Sequence, residues 1–469
     1  MLITIFRFFR NYAYLCTIAV QSNPTMIQDI LLMGSGPDIL IRDGIICRKG
    51  YNLQVGGDVH IIDTSGCLVS YGFADIHVHF REPGYSYKET IRSGSQAAAA
   101  GGYTTVCAMP NLNPVPDSPE HLKAETDIIE RDACIEVLPY AAITLGRKGA
   151  ELVDFASLKD RVPAFSDDGS GVQNGEMMLR AMQAAAREDC IIAAHCEDNS
   201  LLRGGYIHDG HYCAAHGHRG ICSESEWGQI ARDLKLCEQT GCHYHVCHIS
   251  TAESVALIRE AKSRGVNVTC ETGPHYLTLC EDDLREEGRF KMNPPLRSAA
   301  DREALIEGLN DGTIDAIATD HAPHSAEEKS RGLEGSTMGI TGLETAFPVL
   351  YTSLVLGGKV PLDTILNALC ASPRRIFRLG GGCLEEGARA DICIIDLNEE
   401  YTIDSSSFLS QGHSTPFDGW KVRGRVRMTL KDGRIVYDGR HSIDGQPFGD
   451  SRPAGDGQTV LDSRPGSEN

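Results

Sequence analysis

The stretch from Asp75 to Arg81 (DIHVHFR) combines residue types that bind metal ions and anions. His77 and His79 are separated by one residue at the end of an apolar run, and Arg81 follows two residues later. In an extended strand, residues i and i+2 point to the same face, so both imidazoles can bind one metal ion. A guanidinium beside them suits an anion. The pattern predicts a metal-assisted reaction on a small anionic substrate, with further ligands supplied from elsewhere in the chain.

The segments that would position these residues alternate between apolar strands and helical stretches from residue 73 onward. This rhythm is typical of βαβ units and a parallel sheet. Helical stretches such as Ser95–Ala100 and Met177–Arg187 are rich in alanine. Eight such strands predict an α/β fold of the (β/α)8 TIM-type barrel class. The predicted strands are Phe73–Phe80, Thr104–Met109, Ile135–Ile143, Val162–Ser166, Ile191–Cys196, His243–Ile249, Val266–Glu271 and Ile314–Thr319.

Short β segments flank the barrel on both sides. Two precede it, at Ile39–Arg42 and Val59–Ile62, and two follow it, at Ala390–Ile395 and Val422–Leu430. Their pairing predicts a small discontinuous β-sandwich domain formed by the N- and C-terminal segments. The expected organisation is an extension at 1–25, the small β domain at 26–72 and 382–440, the metal-dependent barrel at 73–381, and a disordered tail at 441–469.

The first 25 residues have two interpretations. We expect an upstream extension, with Met26 as the natural start. The alternative is a secretory signal, because Arg7 and Arg10 precede a short apolar run.

Charge and cysteine usage restrict the partners and the compartment. The 469 residues carry a formal net charge of −20, which argues against nucleic acid or an anionic membrane as a partner. The 17 cysteines are odd in number and have no repeated CxxC spacing, unlike a disulfide framework or a zinc ribbon. Reduced thiols predict a cytoplasmic protein.

Polar residues at the predicted strand ends could complete the metal site. Catalytic residues of such barrels lie at the carboxyl ends of the strands. These ends carry His77, His79, Asp167, Asp168, His195, His248, Asp320 and His321. The set is larger than one zinc ion can bind. Two metal ions that share a bridging carboxylate would use the whole set of ligands and would activate a water molecule.

Each member of this set also has a structural alternative. A single histidine that ends an apolar strand is more often a hydrogen-bonded structural residue, and Asp167-Asp168-Gly169 alone would be an Asp-rich turn. Arg81 alone would be a surface salt bridge. Ligand-type residues at five strand ends favour the metal interpretation for the whole set. We assign structural roles to the remaining candidates His60, His211, His216, His218, His243 and His245.

The motifs at these positions resemble those of bacterial type I dihydroorotases, in the amidohydrolase superfamily. The resemblance runs in family order from about residue 38 to 440, through HFREPG (79–84), MPN (109–111), FSDDG (165–169), AHCEDN (194–199), HVCHIS (245–250), MNPPLR (292–297) and ATDHAPH (318–324). HxH alone would indicate only the superfamily, whereas these motifs together are specific to dihydroorotase. The departures are Tyr71, where proline is usual, and the atypical segment His211–Cys222.

The resemblance implies two Zn²⁺ ions per subunit, bridged by a hydroxide and by Asp168. Many relatives use a carboxylated lysine as this bridge, but no lysine lies on the strand preceding Asp168. The implied ligands are His77, His79 and Asp320 for one zinc ion and His195 and His248 for the other. The implied substrate contacts are His79, Arg81, Asn111, Asn293, His324, Met338 and Gly339.

The family reaction is the reversible cyclisation of N-carbamoyl-L-aspartate to (S)-dihydroorotate and water, in de novo pyrimidine (UMP) biosynthesis. The resemblance implies that Asp320 is the catalytic residue that carries the proton between water and the ring nitrogen. Arg81 would bind the substrate carboxylate. The connection from His324 to Met338 is either a mobile loop over the site or a plain surface loop. Expected partners are the small-molecule substrate, a second copy in a homodimer, and aspartate transcarbamoylase.

Two alternatives stay open at this point. One is another cyclic-amide hydrolase, such as allantoinase, dihydropyrimidinase or hydantoinase. These typically use a bridging lysine and lack the sequence context of Arg81. The other is an inactive dihydroorotase-like partner of aspartate transcarbamoylase, which should have lost metal ligands, whereas all six are present here.

Overall fold

The computed structural model describes residues 29–34 and 36–439. The predicted extension at 1–25, the start at Met26 and the tail at 441–469 lie outside the described residues. The strands within the described part are β1 (Asp29–Gly34), β2 (Asp38–Arg42), β3 (Ile45–Gly50), β4 (Val59–Thr64), β5 (Leu68–Tyr71), β6 (Phe73–Val78), β7 (Tyr103–Ala108), β8 (Glu136–Pro139), β9 (Ile191–Ala194), β10 (Ile207–His208), β11 (Gly220–Ile221), β12 (His243–Val246), β13 (Val268–Thr272), β14 (Ala316–Ile317), β15 (Ile392–Thr402), β16 (Lys421–Lys431) and β17 (Arg434–Asp438).

Helices follow most of the barrel strands. They are α1 (Ile91–Ala100), α2 (Pro119–Asp132), α3 (Phe155–Leu158), α4 (Gly175–Glu188), α5 (His211–His216), α6 (Glu224–Thr240), α7 (Ala252–Ser263), α8 (Pro274–Thr278), α9 (Ala299–Asn310), α10 (Ala326–Lys329), α11 (Gly332–Gly335), α12 (Ala346–Leu350), α13 (Leu362–Leu366) and α14 (Ser372–Ile376). Two π-helical stretches, Tyr351–Val355 and Asn367–Ala371, extend α12 and join α13 to α14. Within residues 29–34 and 36–439, no helix is both long and apolar enough to cross a membrane.

The barrel is a closed ring of parallel pairings. Strand β6 pairs with β7 and β7 with β8, and the order continues through β9, β12, β13 and β14. Single parallel bridges close the two gaps. Phe165 bridges Ala141 and Ile192 between β8 and β9, and His321 bridges Val78 between β14 and β6. All the carboxyl ends therefore meet on one face, which is where the sequence predicted the site.

The fourth predicted strand, Val162–Ser166, is wrong as a regular strand. Only Phe165 makes bridges there, and the segment follows a 3₁₀ turn at Lys159–Arg161. Pro163 lacks the N–H that a central strand would donate, which explains why the pairing is reduced to one residue. The third predicted strand, Ile135–Ile143, is also shorter than expected, and the observed strand β8 ends at Pro139.

The barrel strands are buried on both faces. Every residue of β6 and β7 is buried, because the helices cover the outside and packed side chains fill the inside. The interior cluster includes Ile76, Cys107, Met109, Tyr140, Ala164, Ile191, Ala193, Cys247, Ala316 and Ala318. This packing holds the strand ends in fixed positions for the polar residues that follow them.

Two four-stranded sheets form the small β unit. One has the order β3-β2-β1-β4, and the other has the order β17-β16-β15-β5. Strand β5, which directly precedes the barrel, pairs antiparallel with β15, which follows it in the chain. Apolar residues from both sheets share one core: Ile30, Leu32, Ile39, Ile41, Ile46, Ile62, Ala390, Ile392, Ile394, Met428 and Leu430. The terminal segments therefore meet as a sandwich, although the exact domain boundaries stay predictions.

Candidate metal centre and substrate cavity

Asp168 lies at the centre of a buried cluster of imidazoles. Its Oδ1 is 3.3 Å from Nε2 of His77, 3.6 Å from Nδ1 of His195 and 3.6 Å from Nε2 of His248. Its Oδ2 is 3.5 Å from Nε2 of His79. The four histidines come from the ends of three different strands. One carboxylate therefore faces two pairs of imidazoles.

Asp320 completes the cluster on the side of the first histidine pair. Its Oδ1 is 3.0 Å from Nε2 of His79 and 3.7 Å from Nε2 of His77. Burial alone would raise the pKa of Asp320, but the adjacent imidazoles of His79 and His77 hold that pKa well below its ordinary value. The carboxylate is therefore ionised at neutral pH.

The cluster fits divalent metal ions. Nε2 of His77 and Oδ1 of Asp168 are buried without a hydrogen-bond partner, a costly state unless a cation binds there. Two groups of ligand atoms converge, His77 with His79 and Asp168, and His195 with His248 and Asp168. The buried His, Asp and Glu groups thus form a metal site, and the two groups share Asp168.

A third convergent group, His77 with Cys247 and Glu271, is a weaker candidate. Burial raises the pKa of Cys247 to about 12, so its thiol keeps the proton that a metal would have to displace. Nδ1 of His77 is already hydrogen-bonded to Glu271 at 2.7 Å. This group supports the ligand His77 rather than forming a separate site.

Two strand-end residues that the sequence put forward point away from the metal cluster. Oδ1 of Asp167 accepts from the backbone N–H groups of Ile143 and Thr144, so this aspartate orders the neighbouring loop. Nε2 of His321 lies 3.4 Å from Glu89. Of the neighbours Asp167 and Asp168, only Asp168 reaches the metal cluster. Of the neighbours Asp320 and His321, only Asp320 reaches it.

A cavity of about 220 Å³ opens beside the metal cluster. All seven predicted substrate-contact residues line it: His79, Arg81, Asn111, Asn293, His324, Met338 and Gly339. Arg81 is buried, and its Nε donates to the carbonyl of Pro323 at 3.3 Å. A buried guanidinium at the wall of a small polar cavity favours an anionic ligand.

Three cavity residues have hydrogen bonds that define their chemical state. Nδ1 of His79 donates to Oδ1 of Asn111 at 2.9 Å, which leaves Nε2 of His79 unprotonated for a metal. Nε2 of His324 donates to the carbonyl of Met338 at 2.8 Å. Burial, together with the charge of Arg81, lowers the pKa of His324 to about 3, so this imidazole is neutral.

Comparisons with known proteins agree with this site. A family model described as Dihydro-orotase-like matches residues 66–254, and one described as Amidohydrolase family matches residues 235–437. A dihydroorotase of Bacillus cytotoxicus is 51% identical over 402 residues, which are 85% of this chain and 94% of the relative. A dihydroorotase of Bacillus cereus has the same identity and coverage. The chain belongs to the dihydroorotase family. The predicted resemblance is confirmed.

Solved structures show the same fold as this dihydroorotase-family chain. The L-hydantoinase (dihydropyrimidinase) from Arthrobacter aurescens has a TM-score of 0.78 at 26% identity, covering 88% of this chain and 95% of its own. A D-hydantoinase (dihydropyrimidinase) from a Thermus species has a TM-score of 0.76 at 24% identity, covering 90% and 97%. With the closed ring of pairings, these neighbours confirm the predicted barrel and β-sandwich.

Glu271 is a buried carboxylate next to the metal cluster that was not among the site residues predicted from the sequence. Its Oε1 accepts from Nδ1 of His77 at 2.7 Å, and its Oε2 lies 3.2 Å from Nε2 of His245. A buried carboxylate in this position fixes the tautomer and orientation of a metal-binding histidine. The sequence feature that could have identified Glu271 is its position at the end of the predicted strand Val266–Glu271. His245, expected to be structural, supports Glu271.

Three residues of the site also have a strained backbone that the sequence does not reveal. Arg81, His248 and Asp320 have φ values of 57°, 34° and 47°, in the left-handed region that non-glycine residues rarely adopt. Strain of this kind costs about 1–3 kcal/mol per residue and clusters at functional sites. Here it aims three side chains from the strand ends into one cavity.

The atypical segment His211–Cys222 makes its contacts away from the metal cluster. Nε2 of His218 is 2.9 Å from Glu286, and Nδ1 of His218 is 2.7 Å from the hydroxyl of Tyr206. Nε2 of His211 is 2.7 Å from Asp282. These histidines hold the segment to the loop at 281–286, as expected for structural residues.

Proposed function

We propose that this chain catalyses the dihydroorotase reaction, the reversible cyclisation of N-carbamoyl-L-aspartate to (S)-dihydroorotate and water. It is a hydrolase that acts on cyclic amides, and its reaction belongs to pyrimidine biosynthesis. The observation that carries the substrate choice is the buried Arg81 in the same cavity as the metal cluster. Among six-membered cyclic amides, dihydroorotate carries a carboxylate for this guanidinium, whereas dihydrouracil carries none.

The proposed cofactor is a pair of Zn²⁺ ions. His77, His79 and Asp320 would hold one ion, His195 and His248 the other, and Asp168 would bridge them. Imidazole and carboxylate ligands suit zinc. When bound, the ions would polarise the amide carbonyl and lower the pKa of a water molecule.

Asp320 is the proposed proton carrier. Its ionised carboxylate would accept a proton from the attacking water during ring opening and donate it to the leaving ring nitrogen. Oδ1 of Asp320 lies 3.0 Å from Nε2 of His79, on the side of the metal cluster, which leaves Oδ2 to carry the proton. In the cyclisation direction, the same carboxylate would take the proton from the carbamoyl nitrogen.

The substrate carboxylate would bind opposite the metal cluster. Arg81 would donate two parallel hydrogen bonds, and each charge-assisted bond contributes about 1.5–3 kcal/mol. Asn111 and Asn293 are the proposed neutral contacts. Nδ2 of Asn293 donates to Glu197 at 2.9 Å, and its Oδ1 is buried without a partner. That oxygen would accept an N–H of the substrate.

The test is an absorbance assay of dihydroorotate hydrolysis by zinc-loaded protein, with allantoin and dihydrouracil as competing substrates. We expect dihydroorotate to be turned over and the two competitors to be poor substrates. Turnover of either competitor without turnover of dihydroorotate would reject the proposal in favour of another cyclic-amide hydrolase. The Arg81→Met variant gives the matched control, because it should lose the preference for the charged ring.

An inactive partner subunit is the second candidate, and the ligand cluster argues against it. All six candidate ligands lie together, whereas an inactive subunit has no need to keep them. The number of zinc ions bound per purified chain distinguishes an active dihydroorotase from an inactive subunit. Fewer than one bound zinc ion per chain after zinc loading would favour the inactive subunit.

The remaining proposals concern assembly and location. We propose a homodimer and an association with aspartate transcarbamoylase, both from the family resemblance. Sedimentation of the chain alone and mixed with the transcarbamoylase tests them. We propose a cytoplasmic location because the cysteines within the described residues are all free.

A further inference from the structure

Lys329 is a buried cation that the proposed reaction does not use. It ends the short helix α10, its side chain is only slightly exposed, and it does not line the cavity. Its ammonium donates to the carbonyl oxygens of Lys291 at 3.0 Å, Thr337 at 2.8 Å and Gly339 at 2.7 Å. These bonds use all three donors of the group.

The three carbonyls belong to two walls of the cavity. Thr337 and Gly339 flank Met338, and Lys291 lies two residues before Asn293. The carbonyl of Lys291 also accepts the backbone N–H of Gly339 at 3.0 Å. The ammonium therefore joins the wall that carries Met338 and Gly339 to the wall that carries Asn293.

Gly339 shows how closely this wall approaches the rest of the cavity. Its φ is +131°, and an added Cβ would lie 2.6 Å from the carbonyl oxygen of Ala322 and 3.0 Å from Nε2 of His324. A side chain at this position, or a shift of Gly339 in the same direction, would therefore clash with Ala322 and His324. The bonds from Lys329 fix the carbonyls of Thr337 and Gly339, on either side of Met338.

The beginning of the same segment is held by a second charged contact. Glu328, the neighbour of Lys329, pairs with Lys88 at 2.9 Å. Nζ of Lys88 in turn lies 3.2 Å from Nδ1 of His324. Two adjacent residues of α10 thus hold the two ends of the segment from His324 to Gly339.

Keeping an ammonium in this place is costly. Burial, together with the nearby ammonium of Lys291, lowers the pKa of Lys329 to about 7. A neutral side chain of the same length would avoid that cost if filling space were the only requirement. An uncharged aliphatic side chain could not donate hydrogen bonds to the three carbonyls.

We propose that Lys329 is a positioning residue that sets the Met338–Gly339 wall of the substrate cavity. The inference rests on the proposed function, since it concerns recognition of the same substrate. Loss of the three hydrogen bonds would let Met338, Gly339 and His324 move relative to Arg81. Substrate affinity would fall, while the metal ligands and Asp320 would stay in place.

The experiment compares Lys329→Met and Lys329→Gln with the wild type and with Lys431→Met. Lys431 is also a buried lysine, bonded to Asp391 at 2.9 Å in the β-sandwich, and so controls for loss of a buried charge. Readouts are KM and kcat for dihydroorotate, zinc content, the melting temperature, and hydrogen exchange in peptides covering residues 324–339.

We expect Lys329→Met to raise KM about 10-fold or more, with kcat within about threefold and zinc content unchanged. Lys329→Gln keeps two N–H donors and should raise KM less. Both Lys329 substitutions should speed amide hydrogen exchange in residues 324–339. Lys431→Met should lower the melting temperature without moving KM.

Three results would overturn the inference: an unchanged KM in a folded Lys329 variant, a loss confined to kcat, or a loss of zinc. If both Lys329 variants fail to fold, Glu328→Gln decides, because the change removes the negative charge that pairs with Lys88, while the amide oxygen can still accept from the backbone N–H of Ser325. An unchanged KM in that variant also overturns the inference. A wild type that does not turn over dihydroorotate at all rejects the proposed function instead, so the two failures are distinguishable.

Discussion

Replacing Glu271 by glutamine should weaken metal binding without disturbing the fold. The amide has nearly the same size, and its oxygen can still accept from Nδ1 of His77, which now lies 2.7 Å from the carboxylate. Its N–H₂ group can donate to His245 if that imidazole changes tautomer. What is lost is the negative charge behind a metal-binding histidine. That charge makes Nε2 of His77 a better ligand.

The size of the effect follows from the hydrogen bond that changes. A charge-assisted hydrogen bond contributes about 1.5–3 kcal/mol, and a neutral one contributes about 0.5–1.5 kcal/mol. The substitution therefore costs about 1–2 kcal/mol of metal-binding free energy. At about 1.4 kcal/mol per factor of ten, zinc affinity should fall roughly 5- to 30-fold. The loss should be seen at the ion next to His77.

The assay is competition for zinc with a chromogenic chelator, combined with a count of the ions retained after dialysis. Glu125→Gln is the matched control. Glu125 is buried with neither carboxylate oxygen hydrogen-bonded, and burial raises its pKa well above the ordinary value, which favours its neutral form. Zinc affinity should be unchanged in this control. Wild-type zinc affinity in a folded Glu271→Gln variant would refute the role of Glu271.

Three further predictions concern the proton carrier, the anion contact and the pH dependence of stability. Asp320→Asn should lower kcat by roughly 10²- to 10⁴-fold with a small change in KM, because the proton acceptor is lost; near-normal turnover would contradict this. Arg81→Met should raise KM for dihydroorotate roughly 10- to 100-fold, whereas kcat should change little; steady-state kinetics measures both. Burial, with the nearby Glu89 carboxylate, raises the pKa of Glu344 to about 8. Since the unfolded chain ionises this group near 4.5, folding stability should fall as the pH rises from about 4.5 to about 8. Glu344→Gln should flatten that fall in melting temperature, and an unchanged slope would show that other groups cause it.

The architecture was largely predictable because local pattern and tertiary context agree in it. Strands that are buried on both faces must be largely apolar, so they show up in the sequence as apolar runs separated by helical segments. The exception at Val162–Ser166 has a local cause, since Pro163 cannot donate to a neighbouring strand. The sandwich was predictable only as a pairing of the two ends, because its core combines apolar residues from both.

The sequence by itself determined which residue types reach the site. His77, His79, Asp168, His195, His248 and Asp320 all follow apolar strands, and a barrel brings such positions to one face. The motifs also favoured this family over other cyclic-amide hydrolases. The tertiary structure alone decided how these side chains are oriented. Glu271 supports His77, Asn111 sets the tautomer of His79, and Lys329 joins two cavity walls through contacts between segments that are far apart in the chain. Such contacts depend on side-chain direction and on backbone carbonyls, and neither leaves a periodic pattern in the sequence.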